Sequence, residues 1–144
     1  MKESKINFYS ENDFILEEKD RYAKWIEHVI ASENMKLEEI NYIFCDDEYM
    51  LKLNVEFLDH DTYTDIITFN NNVGRILEGD IFISTERVKD NSETFGVIFE
   101  EELRRVLSHG ILHLCGYNDK TEEESSIMRD KEEEKMKLFH VEQY

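Results

Sequence analysis

Proline is absent from the 144 residues and glycine occurs only five times, so the chain offers no strong internal breakpoint, no linker and no low-complexity tract. Residues 1–144 are therefore expected to form a single domain, a length able to bury one core. Long apolar runs are missing as well. None approaches the roughly 20 residues that a helix needs to cross a bilayer, and the N-terminal M-K-E-S-K is followed by no apolar signal core. The expected location is the cytoplasm, with no membrane partner. Cysteine is scarce, and Cys45 and Cys115 are expected as reduced thiols rather than a disulfide. Positive charge is scarcest relative to its opposite: 17 Lys and Arg stand against 34 Asp and Glu, a net charge of −17. Phosphate contacts normally supply most of the affinity for nucleic acid, so this balance excludes tight, general binding, and no DNA partner is expected.

What is present is enough for a core. Hydrophobic residues make up 40% of the chain and aromatics 12%, too many for a disordered polypeptide despite 35% charge. Ile6 and Phe8 alternate with polar neighbours in a short strand from Lys5 to Tyr9. Tyr22, Trp25, Ile26, Val29 and Ile30 recur at helical spacing between Glu17 and Glu33. Ile40 to Cys45 reads as a second strand, and Asp46 and Asp47 start a short helix expected to turn Met50, Leu53 and Phe57 inward. Strands follow at Asp65 to Phe69 and Gly79 to Ser84, with a turn from Asn70 to Gly74 between them. The polar loop before the third of these strands holds His60, read as a turn residue rather than part of a second site. A helix from Thr85 ends near Gly96, a long one spans about Val97 to Cys115, and a capping box at Thr121 opens a last helix to about His140. The Glu- and Lys-rich surface of that last helix is expected to face solvent. The order β-α-β-α-β-β-α-α-α indicates an α+β fold, a small mixed β-sheet of about four strands with helices packed on it.

The stretch from His109 to Lys120, H-G-I-L-H-L-C-G-Y-N-D-K, carries the chemistry. On a helix, His109 and His113 sit roughly 40° apart around the axis and about 6 Å along it, so both imidazoles leave one face. Asp119 would lie about 9 Å further on if the helix continued, beyond reach of the same ion. Gly116 is placed to end the helix in the left-handed conformation and let Asp119 fold back. The outcome is a His-His-Asp set on a central helix with a coordination position left open, the condition for catalytic rather than structural zinc. Cys115, although close in sequence, points away by helical phase and reads as a small buried hydrophobe.

These residues resemble the signature of the YbeY endoribonucleases, the rRNA maturation factors, whose pattern runs H-G-x-L-H-L-x-G-Y-D-H. Leu53 and Asn54, the T-D-I-I-T-F from Thr64 to Phe69 (the family has T-D-V-L-S-F) and the G-D-I-F-I-S from Gly79 agree with it in order and spacing. The resemblance implies a zincin-like α/β fold and a metal-dependent, single-strand-preferring endoribonuclease acting in rRNA maturation, with ribosomal RNA and ribosomal components as partners. It also implies one zinc ion held by His109, His113 and the residue at 119. Three positions depart from the pattern: Asn118 stands where the family has an aspartate, the family's third histidine is Asp119 here, and Leu58 stands where the family has an arginine. Arg105, four residues before His109, and Arg104 are the candidates for the phosphate contact that such an arginine would make.

Three other readings remain at this stage. A zincin-type metallopeptidase needs a glutamate directly after the first histidine, where this chain has Gly110. A non-haem iron enzyme would suit two histidines and a carboxylate, but no co-substrate motif accompanies them. A non-catalytic ribosome-associated metal-binding module would follow if the missing arginine marked lost activity.

Overall fold

The computed structural model describes residues 5–58 and 64–140; the reading of His60 falls outside them. Nine elements run in the expected order: β1 Ile6–Ser10, α1 Lys19–Ser32, β2 Lys36–Cys45, α2 Asp47–Leu58, β3 Ile66–Asn70, β4 Ile76–Ser84, α3 Thr85–Phe95, α4 Phe99–Leu114 and α5 Glu122–Leu138. The strands form one sheet in the order β1-β2-β4-β3, with β1, β2 and β4 parallel and β3 antiparallel to β4. The fold is therefore α+β with a mixed four-stranded sheet.

Alternation along the strands sorts side chains onto two faces. Ile40, Tyr42 and Phe44 of β2 and Leu77, Ile81 and Ile83 of β4 are wholly buried on one face. The apolar stripes of α1 (Tyr22, Trp25, Ile26, Val29, Ile30) and α4 (Leu103, Val106, Leu107, Ile111, Leu114) belong to the same core. A smaller cluster on the other face joins Met50 of α2 to Cys45 and Ile67, with Leu53, Phe69 and Phe82 packed around it. Here one expectation is corrected. Phe57 does not turn inward with Met50 and Leu53 but stays 59% exposed, its ring set T-shaped against Phe69 with the centroids 5.8 Å apart. β2 also begins earlier than expected, at Lys36, where Glu38 and Glu39 hide the strand pattern.

α4 packs closely on the sheet at Gly110, where a Cβ would come within 3.0 to 3.1 Å of Ile66 and Ile81. That contact seats the histidine helix on β3 and β4. The buried Tyr42 hydroxyl adds a bond from the sheet, donating to the Leu107 carbonyl at 2.9 Å.

Candidate metal centre

α4 ends where the two histidines need it to end. Gly116 sits at φ +106°, and its N–H donates to His113 O at 3.0 Å while Tyr117 N–H donates to Leu112 O at 3.0 Å. This pair is the Schellman arrangement. The other carbonyls of the last turn are also met, Ile111 by Cys115 N–H at 2.9 Å and Leu114 by the Asn72 amide at 2.7 Å. The β3–β4 turn thus reaches over to close the end of the histidine helix. The chain that leaves it brings Asp119 back over the imidazoles before Thr121 caps α5.

His109, His113 and Asp119 come together as expected, each offering a ligand atom, and these atoms lie within 4.8 Å of one another. Asp119 Oδ2 is 3.3 Å from His109 Nε2 and 3.7 Å from His113 Nε2. The opposite ring nitrogens are occupied. His113 Nδ1 lies 2.9 Å from the Tyr117 carbonyl, which can only accept, so it carries the proton. His109 Nδ1 bonds the Glu132 carboxylate. In neutral imidazoles those bonds leave both Nε2 atoms as lone pairs directed at a carboxylate oxygen. Three electron-rich atoms facing one another call for a cation between them, and the set of two nitrogens and one oxygen suits a zinc-like divalent ion. Burial, then the neighbouring His109, push the His113 pKa below its ordinary value, which favours the neutral ligand form. Asp119 is 39% exposed and the histidines less so, leaving one side of the set open to solvent.

Glu132 was not legible as part of this site. Its helix looks solvated, yet Met128, Glu132, Lys135 and Phe139 form a buried stripe at helical spacing. The available signal was an apolar residue at each end of that stripe with charges between. Arg105 shares the His109 face, and its guanidinium is engaged by carboxylates: Nε at 3.0 Å from Glu102 Oε1, Nη2 on Glu102 Oε2 and Nη1 at 3.2 Å from Glu132 Oε1. Arg104 instead lays its guanidinium over the Phe139 ring at 4.6 Å. Leu58 closes α2 with its side chain exposed. Cys115 packs against the core half-buried, its thiol pushed up to about 12 by burial.

A His-x3-His helix on a mixed four-stranded sheet, with a carboxylate folded back over it, defines a small α+β protein built around a candidate metal centre. The family model for Endoribonuclease YbeY matches residues 5–140, and the chain belongs to that family. It is 59% identical over 143 residues to Endoribonuclease YbeY of Christiangramia forsetii, covering 99% of this chain and 100% of the relative. Its likeness to the Flavobacterium johnsoniae protein of the same description is 56% over 138 residues, covering 96% and 99%. The solution structure of a Thermotoga maritima protein superposes with a TM-score of 0.65 at 26% identity, covering 93% of this chain and 88% of that one.

Proposed function

We propose that this protein is a metal-dependent, single-strand-preferring endoribonuclease of rRNA maturation, working as one domain on ribosomal RNA in the cytoplasm, with ribosomal components as partners. His109, His113 and Asp119 are its metal ligands and zinc is its ion. The observation that carries the metal reading is the convergence of both Nε2 atoms on Asp119 Oδ2, three donor atoms close enough to share one cation. Membership of the endoribonuclease family supports RNA as the substrate. Among the described residues no helix is long and apolar enough to cross a membrane.

An ion held there supplies positive charge and Lewis acidity to a phosphodiester at the open side of the site. The chain's own residues prepare that position. The Tyr117 carbonyl, which can only accept, holds the His113 ring in its Nδ1–H tautomer and keeps its Nε2 available. Asp119 brings a formal charge that a third histidine would lack. Gly110, buried against Ile66 and Ile81, stands where a peptidase of the H-E-x-x-H type carries its base, and no side chain can act from that position.

The test pairs elemental analysis of the purified protein with cleavage of single-stranded RNA and of casein by the same sample, before and after chelation. One bound divalent ion per chain, RNA cleavage that chelation abolishes and intact casein are expected. A metal-free preparation that still cuts RNA would overturn the metal role. A metal-loaded protein that binds ribosomal components without cutting RNA would replace the enzyme with a binding module.

A further inference from the structure

Behind the candidate metal centre lies a chain of charged groups that the reading of the ligands does not explain. Glu132 is 4% exposed and Glu102 2%, a degree of burial that carboxylates rarely reach without partners. Both are held by Arg105, whose Nε and Nη2 face Glu102 while Nη1 faces Glu132. Two buried carboxylates thus share one guanidinium, leaving an excess of negative charge. The free Oε2 of Glu132 is the atom that meets His109 Nδ1. A core that needed only stability would be better filled by apolar side chains, since a buried ion pair rarely repays its desolvation.

We propose that Glu132 is a positioning residue for the metal centre, fixing the tautomer and ring orientation of His109, and that Arg105 and Glu102 fix Glu132 in turn. The inference rests on His109 being a metal ligand, as proposed above. Glu132 accepts the Nδ1 proton, so the neutral ring has its lone pair at Nε2, facing Asp119. The carboxylate also feeds negative charge into the imidazole and strengthens Nε2 as a donor. His113 has a different support, the neutral Tyr117 carbonyl, so the two ligands are unequal: His109 is the charge-assisted one. Arg105 then acts through Glu132, its guanidinium spanning α4 and α5 so that the carboxylate cannot swing away from the ring.

The experiment measures zinc affinity by chelator competition, and the cobalt absorption spectrum, on the full chain and on Glu132→Gln, Glu132→Ala, Arg105→Lys and His113→Ala. Far-UV circular dichroism establishes that each is folded. Glu132→Gln keeps the size and one accepting oxygen but loses the charge, and its zinc affinity should fall about 10- to 100-fold. Arg105→Lys should weaken it less, and His113→Ala should lose the ion. Long-range 15N–1H spectra of the chelated proteins supply a readout that stability alone does not move: His109 should be the Nδ1–H tautomer in the parent and a mixture in Glu132→Gln. Parental zinc affinity and an unchanged His109 tautomer in Glu132→Gln, beside a His113→Ala variant that has lost the metal, would overturn the role of Glu132 and leave the metal site standing. Parental affinity in His113→Ala would instead overturn the metal site, and this inference with it.

Discussion

At the scale of single residues, Asp119 decides how the centre differs from the three-histidine pattern that the sequence resembles. Asp119→Ala leaves two imidazoles, and metal content should fall at least tenfold. Asp119→His should retain the ion, because imidazole nitrogen binds zinc at about the same 2.0 to 2.1 Å as carboxylate oxygen. Asn118→Ala serves as control with unchanged occupancy, since its neighbour and not it meets the rings. Elemental analysis of the four dialysed proteins checks the series, and a fully loaded Asp119→Ala would reduce Asp119 to a turn residue. The three candidate ligands were legible because each lies on one stretch of chain, where helical geometry and a single glycine suffice to bring them together. Glu132 was not, because its tie to His109 depends on how α5 docks on α4, and the periodicity of either helix says nothing about that docking. Arg105 illustrates the same limit from the other side. Its phase toward His109 could be read from the sequence, but its engagement by Glu102 and Glu132 could not.

Among the elements, helix ends and helix-to-helix ties carry the arrangement. The nine elements and their order follow from apolar periodicity, and errors gather where charged residues interrupt it, as at the start of β2. The Asn72 cap on α4 joins a turn to a helix 42 residues away in sequence. Asn72→Ala removes its bond to Leu114 O and its acceptor for Glu78 N–H, and should cost about 1–3 kcal/mol, read as a lowered melting temperature. Glu33, at the end of α1, accepts from the Tyr117 hydroxyl at 2.7 Å and pairs with Lys135 at 2.7 Å, tying the loop that follows α4, and α5, to α1. Burial alone would raise its pKa, but the bonds from Lys135 and Tyr117 outweigh this and hold it below the ordinary 4.5. A depressed carboxylate contributes its stability above the unfolded value and loses it as pH falls through the folded one. The melting-temperature gap between the parent and Glu33→Gln should therefore be widest near neutrality and close as pH drops below 4.5. A gap that persists into acid would mean the charge of Glu33 is not what ties these elements.

For the whole molecule, the charge of −17 sets the terms of any encounter with RNA. Free RNA is repelled, so affinity for random single strands at physiological salt should be far weaker than nanomolar, and association with ribosomal particles should depend on basic surface that the partner supplies. Few phosphates should be engaged, so the slope of log affinity against log salt should be shallow, about −1 to −2, at roughly 0.7 per neutralised phosphate on a single strand. Gel-shift titrations across salt concentrations measure both, and nanomolar binding or a steep slope would contradict the expectation. The net charge was plain from the sequence, whereas the distribution of the few cations was not, since Arg87, Arg105 and Lys135 prove committed to carboxylates. One feature of the centre reaches beyond the folded state. Because His109, His113 and Asp119 follow one another along a single stretch, the denatured chain keeps the same donors within reach of an ion. A metal that also binds the denatured chain gives back part of its stabilisation by mass action. Saturating zinc should accordingly raise the melting temperature by less than its native-state affinity alone dictates, and the shortfall measures how tightly the disordered chain chelates.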